Sequence, residues 1–473
     1  MLLIKGGREA SLITPHPAPL LKEGGCSYEA HQTVVDHHGP DPVGASGVAL
    51  AVGVGSAGAQ GSVVGPGESI QKAINAAHPG DTIVVRGVHR EDVVIRKNGI
   101  KLRGVGNAVI EAPARARADS PCSKTFGPEA ICVLGDVNLK AATLTGSRVR
   151  DVSISGFTIR GFKQKPNKGF STIMIDVFGA RNATVEGNHV VGNNGAGIGF
   201  TAEGLNNTIE NNDLTNNNDD GVFIEGQRNT TIADNTFKGN ADNSPNAEGQ
   251  INLQTNVNTL IKGNDVTGGF ASIFTEDSRG TKFLSNTLRR YDDLGILVGG
   301  PKVAKVEVVG NHISGGDFGI IVVNARRGSF VGNQIHNNCA GLAFLADVPE
   351  TGNSVGNYEV VANKVTDNTR KCPAFQDTPV SSGIGIGLFG ASGMEVKGNH
   401  LSGNVPSGST AVSGGVVVGV DPLFGGTTQP TNNSIVANDF GRNKPDIFFD
   451  KSGTGNRFRA NNCNTSIPAS LCN

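Results

Sequence analysis

Residues 185–190 read VEGNHV, 209–214 read IENNDL and 232–237 read IADNTF. All three share the frame apolar-x-x-Asn-x-apolar. The frame recurs as IKGNDV (261–266), FLSNTL (283–288), VVGNHI (308–313), FVGNQI (330–335), VANKV (361–365), VKGNHL (396–401), VANDF (436–440) and RANNC (459–463). The repeated residues are Asn188, Asn212, Asn235, Asn264, Asn286, Asn311, Asn333, Asn363, Asn399, Asn438 and Asn461, and seven of the ten intervals span 22 to 29 residues. Upstream, ISGFTI puts Phe157 where the series would continue. A fixed period of this size marks a stacked-repeat architecture.

Each unit holds a second short alternating run: GIGF (197–200), GVFI (221–224), GQINL (249–253), SIFT (272–275), GILV (295–298), GIIV (319–322), GLAF (341–344), GIGL (385–388), GVVV (415–418) and DIFF (446–449). Three short strands per coil predict a single-stranded right-handed parallel β-helix, an all-β solenoid of about 12 coils. A coil this small cannot bury its own apolar face, whereas stacking at roughly 4.8 Å per coil does so. A turn asparagine tolerates the left-handed backbone region and can bond its amide to the next coil. The asparagine series is therefore read as structural. PGESIQKAINAAHPGDTIVV (66–85) reads as a short N-terminal capping helix followed by a strand, and FFDKSGTGNRFRANNCNTSIPASLC (448–472) closes the far end.

Composition agrees. Gly accounts for 67 of 473 residues, Trp is absent and Tyr occurs three times, which suits many turns and little helix. A net charge of −1 offers no polybasic face, so neither nucleic acid nor anionic lipid is an expected partner. No apolar run reaches the roughly 18 residues of a membrane span. Residues 47–55 (GVALAVGVG) followed by Ala57-Gly58-Ala59 resemble a signal peptide without a basic start, so 1–60 is read as a leader and 61–473 as the solenoid. Six cysteines fall into sequence-local pairs, Cys122 with Cys132, Cys339 with Cys372 and Cys463 with Cys472, whereas Cys26 lies in the leader. Local disulfides fit a secreted, extracellular protein.

The chain resembles right-handed β-helix proteins with PbH1-type repeats, in the broad pectate-lyase-like superfold, over essentially everything after residue 62. The resemblance implies a polysaccharide groove along the GIGF-type strands and their flanking turns. The long insertions at 240–249, 346–358, 367–382, 403–414 and 421–433 all flank those strands, as walls of a binding surface would. Of the polygalacturonase pattern only the pair Asp219-Asp220 is present, and Asp421-Pro422 runs on to Leu423-Phe424 rather than into the alginate-epimerase signature. No subfamily follows.

Alternation directs Met174, Asp176, Phe223, Glu225, Asn252, Gln254, Phe274 and Glu276 outward, with exposed phenylalanines on a polar, acidic middle. Glu225 and Glu276 hold equivalent positions two coils apart, about 9.6 Å between Cα atoms, which suits an inverting carboxylate pair. Asp219, Asp220, Asp292 and Asp293 enter neighbouring strands, although Asp before Gly is also ordinary turn chemistry. The leading expectation is polysaccharide cleavage by acid–base hydrolysis, with Glu276 or Asp293 as acid and Glu225 or Asp220 as base. A lyase using Arg290 and Tyr291 is the alternative, and a non-catalytic glycan-binding or accessory protein is the third. Asp219, Phe223, Asn252, Gln254, Phe274, Asp292, Arg289, Arg326 and Arg327 are the expected substrate contacts. His189, His312 and His400 follow repeat asparagines and line a turn, and no His/Cys metal-ligand spacing is present, so no metal centre is assigned. No cofactor is required, calcium can bind through carboxylates, and a monomer acting on a poly- or oligosaccharide is expected.

Overall fold

The computed structural model describes residues 61–167, 171–241, 248–346, 354–372, 380–423 and 425–472. The expected leader lies outside them, as do parts of four of the five insertions. Three parallel sheets run along the stack. The first extends from Gly61–Val64 to Arg457–Arg459, the second from Val88–Arg90 to Asp439–Gly441, and the third from Val93–Ile95 to Ser466–Ile467. Each coil between the two ends gives one strand to each sheet. Thr184–Glu186 pairs with Thr208–Glu210, and that strand with Thr231–Ala233.

Register stacks like on like. Ile209, Ile232 and Ile261 form an inward column on the first sheet, Val190, Leu214 and Phe237 on the second, and Ile198, Val222 and Ile251 on the third, all fully buried. Burial of each such side chain contributes roughly 1.5–3 kcal/mol, which no isolated coil could obtain. Helix Ile70–Ala76 covers the open end: Ile70 and Ile74 enter the core, Ser69 caps Lys72 N–H at 3.2 Å, and Glu91 accepts from Ile70 N–H at 2.6 Å. The three cysteine pairs are joined as expected.

The asparagine series is continuous. Asn264 donates its backbone N–H and Nδ2 to Asn286 Oδ1 (3.1 and 3.0 Å), and Asn286 donates both to Asn311 Oδ1 (2.9 Å each) and Nδ2 to Ile261 O (3.0 Å). Phe157 does precede the series, its N–H donated to Asn188 Oδ1. One expectation is corrected: the left-handed residue is the one before each asparagine, Gly187, Asn211, Asp234 or Gly263, because the ladder residue needs its amide turned inward. Further ladders occupy the other turns, through Asn193, Asn217 and Asn240 and again through Asn338, Asn368, Asn404 and Asn443.

The outward face is also corrected. Met174 lies in the core, because the chain is still turning inward there and the equivalent later positions are glycines such as Gly197 and Gly221. Phe274 is buried and Phe223 half-buried, so neither is the open aromatic platform expected.

Asn286→Ala leaves the Asn264 N–H groups without an acceptor inside the stack. A loss of about 1–3 kcal/mol, read from the urea midpoint at unchanged slope, is expected. An unaltered midpoint would mean that the ladder carries no stability.

Candidate active site

The outer face of the third sheet changes character along its length. From Leu297 to Val417 its outward side chains are apolar and buried, among them Leu297, Ile321, Val323, Leu345, Phe389 and Val417. Its middle is polar. Phe223 pairs with Asn252 and then Phe274, and Glu225 with Gln254 and then Glu276, as the repeat register requires.

Around Asn252 the carboxylates converge. Asn252 Nδ2 donates to Asp220 Oδ2 at 3.0 Å and to Glu248 Oε2 at 3.1 Å, so those two oxygens lie within about 6 Å of each other. Gln254 Nε2 adds a bond to Glu248 Oε2 at 2.9 Å. Asp220 Oδ1 accepts from the N–H groups of Glu248 and Gly249, and Asp219 Oδ1 accepts from Asp220 N–H. Burial, then Asp219 and Glu248 as like charges, push Asp220 well above the usual carboxylate range despite these donors. Burial also raises Glu248, with Glu276 and Asp219 adding repulsion against the bonds from Gln254 and Asn252. Burial and Asp277 raise Glu276, whose side chain reaches the exposed rim, and Glu225 stands half-buried two strands away.

Asp220 thus departs from expectation. At 5% exposure it is not the open carboxylate that a base needs. Glu248 escaped the reading of the sequence because it follows no repeat position. Its insertion was recognisable as a wall, and an acid at the end of that wall was the available signal.

A second acidic pair lies at the same edge, toward the C-terminus. Asp293 and Asp317 precede the paired residues Leu294 and Phe318, and Asp293 O accepts from the N–H groups of Asp317 and Phe318. Burial, then Asp317 and Asp292, raise Asp293 to about 7. Asp317 rises to about 6 through burial, with Arg370 opposing and Asp292 adding to it.

The arginine–tyrosine turn does not face this site. Tyr291 is buried in the core and donates its hydroxyl to Asn338 Oδ1 at 2.6 Å, standing in for a ladder asparagine. Gly316 lacks a Cβ where one would strike the Tyr291 ring. Arg289 points off the second sheet, bound to both oxygens of Asp265 at 2.6 Å, because it ends a strand of that sheet. Arg290 is an exposed left-handed turn residue. Arg326 opens the strand Arg326–Val331 of the first sheet, half-buried against Ser354 and Ser392 and next to exposed Arg327. The structure therefore gathers Asp219, Asp220, Asn252, Gln254 and Glu276 with Glu248, places Asp292 and Asp293 farther along that edge, and leaves the arginines elsewhere.

The family model for the right-handed β-helix region matches residues 77–252 and 249–421. The chain belongs to the right-handed β-helix family. No curated protein matches it. Among solved structures, this β-helix is similar to the A-module of the mannuronan C-5 epimerase AlgE6 of Azotobacter vinelandii (14% identity, 83% of this chain and 94% of that one, TM-score 0.52). It is also similar to the catalytic unit of a thermostable GH87 α-1,3-glucanase of Streptomyces thermodiastaticus (13%, 88% and 70%, TM-score 0.53). A third is the family 28 exopolygalacturonase of Yersinia enterocolitica (12%, 84% and 78%, TM-score 0.51). At these identities the likeness establishes the fold. Among the described residues no helix of this β-helix is long and apolar enough to cross a membrane.

Two predictions follow from these placements. Tyr291→Phe removes the hydroxyl bond to Asn338 and should cost about 1 kcal/mol in thermal or urea unfolding, while any hydrolytic rate stays within about twofold. A loss of turnover at intact fold would return Tyr291 to the chemistry. Asp293 binds its proton more tightly in the folded chain than unfolded, where an Asp titrates near 3.9. Its contribution therefore falls as pH rises from about 4 to about 7. Subtracting the Asp293→Asn melting curve from the parent's across pH 4–8 should show that fall, and a flat difference would contradict the raised carboxyl.

Proposed function

We propose that this β-helix protein is a secreted carbohydrate-active enzyme that hydrolyses a polysaccharide laid along the outer face of its third sheet. The observation that carries the reading is the single amide of Asn252 holding Asp220 and Glu248 together in the polar middle of that face. The polysaccharide-acting names of its structural neighbours support the substrate class. The joined cysteines support an oxidising, extracellular setting.

Roles follow from accessibility. Glu248, half-buried and held above its ordinary range chiefly by burial, is the accessible carboxyl group assigned to deliver a proton to a leaving glycosidic oxygen. Asp220, deeper and bonded on both oxygens, positions Glu248 by accepting its backbone N–H. Glu276 and Glu225 at the rim are the carboxylates placed to activate water. Phe223 offers a half-buried ring for a sugar face. An acidic patch of this kind favours a neutral glycan, and a uronate would need calcium between the two sets of carboxylates. β-Elimination loses its proposed catalyst with the burial of Tyr291.

A glycan panel assayed for new reducing ends and for the absorbance of unsaturated products tests this. Reducing ends without absorbance are expected, with Glu248→Gln and Glu276→Gln each lowering kcat by about 10²–10⁴-fold. Absorbance would indicate elimination, and silence across a broad panel would indicate a binding protein. Full activity in both variants would remove the carboxylate assignment.

A further inference from the structure

Near the N-terminal end of the third sheet, away from the proposed site, Glu129 is 2% exposed and neither of its carboxylate oxygens has a hydrogen-bond partner. A carboxylate so placed is among the costliest arrangements a core can hold. Its surroundings are specific: a Glu129 oxygen and the sulfurs of Cys122 and Cys132 all lie within 4.8 Å of one another. Both cysteines are buried, at 0% and 2% exposure. Asp176, on the strand paired to Cys132, brings a second buried carboxyl whose Oδ1 is also unpartnered.

A disulfide offers a buried carboxylate no donor and no positive charge. A divalent cation offers both a bond and a charge. Two thiolates and a carboxylate are a ligand set for zinc, and the ligand atoms of a tetrahedral zinc lie about 3.3–3.8 Å apart, so the two sulfurs part once their bond is broken while a Glu129 oxygen, already within 4.8 Å, closes on them. The fold assembles this trio from helix Pro121–Thr125, the turn after it and the strand Ile131–Leu134, so no recognisable sequence spacing announces it.

We propose that Cys122, Cys132 and Glu129 form a zinc site whose alternative state is the Cys122–Cys132 disulfide. A dithiol reductant supplies two electrons and two protons, the S–S bond breaks to two thiols, and the reductant closes to its own disulfide. Zinc then displaces both thiol protons to solvent as two Zn–S bonds and one bond to Glu129 form. A related trio, Asp317 with Cys339 and Cys372, does not share the isolation, because Asp317 is only half-buried and faces Arg370.

The test is zinc uptake by the full chain, reduced and freed of reductant, in competition with a chromophoric chelator. Cobalt serves as the spectroscopic probe of thiolate ligation. The parent should bind one more tight equivalent than Cys122→Ser/Cys132→Ser, and Glu129→Gln, which keeps both thiols, should weaken that equivalent at least about 10-fold. The oxidised protein should not bind it. Far-UV circular dichroism checks that each form is folded, and Glu129→Gln tests the idea even where the double serine variant fails to fold. Equal zinc in parent and double variant, or unchanged affinity in Glu129→Gln, would overturn the site.

Discussion

Every coil lies on its neighbour in register, and that single constraint governs the rest of the molecule. In-register parallel stacking places each side chain against its own equivalents at about 4.8 Å, so whatever a turn buries must be able to pair with itself. Asparagine meets this demand because its amide both donates and accepts. Asn264, Asn286 and Asn311 each receive two bonds from the preceding coil and pass two to the next, leaving the amide oxygen and nitrogen of a buried polar group satisfied. Isoleucine, valine and phenylalanine meet it on the inward strand positions through dispersion and burial alone.

Carboxylates cannot meet it. Like charges stacked at the strand spacing repel, and burial removes the water that would screen them. In the middle of the third sheet the structure compensates locally. Asn252 and Gln254 interpose amides between Asp220, Glu248 and Glu276, and backbone N–H groups of the 240–249 insertion turn toward Asp220. The apolar, buried run from Leu297 to Val417 needs no such compensation. The acidic stretch is therefore the part of the face held at a cost, which is the usual mark of a site kept for chemistry.

How much of this was legible depends on range. The columns of Ile198, Val222 and Ile251, the continuity of the asparagine turn and the pairing of Glu225, Gln254 and Glu276 follow from a period of roughly 23 residues and alternation by two. The departures arise where the third dimension overrides period. Met174 points inward because the chain has not finished turning. Tyr291 reads as a polar loop residue beside two arginines, yet the gap it fills is a missing ladder asparagine, and only the bond to Asn338 reveals that. Glu248 belongs to an insertion and has no repeat register. Glu129 approaches the cysteines through a helix and a turn that share no period with the coils.

The crystal structure of Asp220→Asn with an oligosaccharide drawn from the active member of a glycan panel bears most directly on the central claim. The account predicts sugar rings along the outer face of the third sheet, with a glycosidic oxygen within hydrogen-bond reach of Glu248 and a ring near Phe223. An oligosaccharide seated on the first or second sheet, or on the third sheet beyond reach of Glu248 and Glu276, would contradict it.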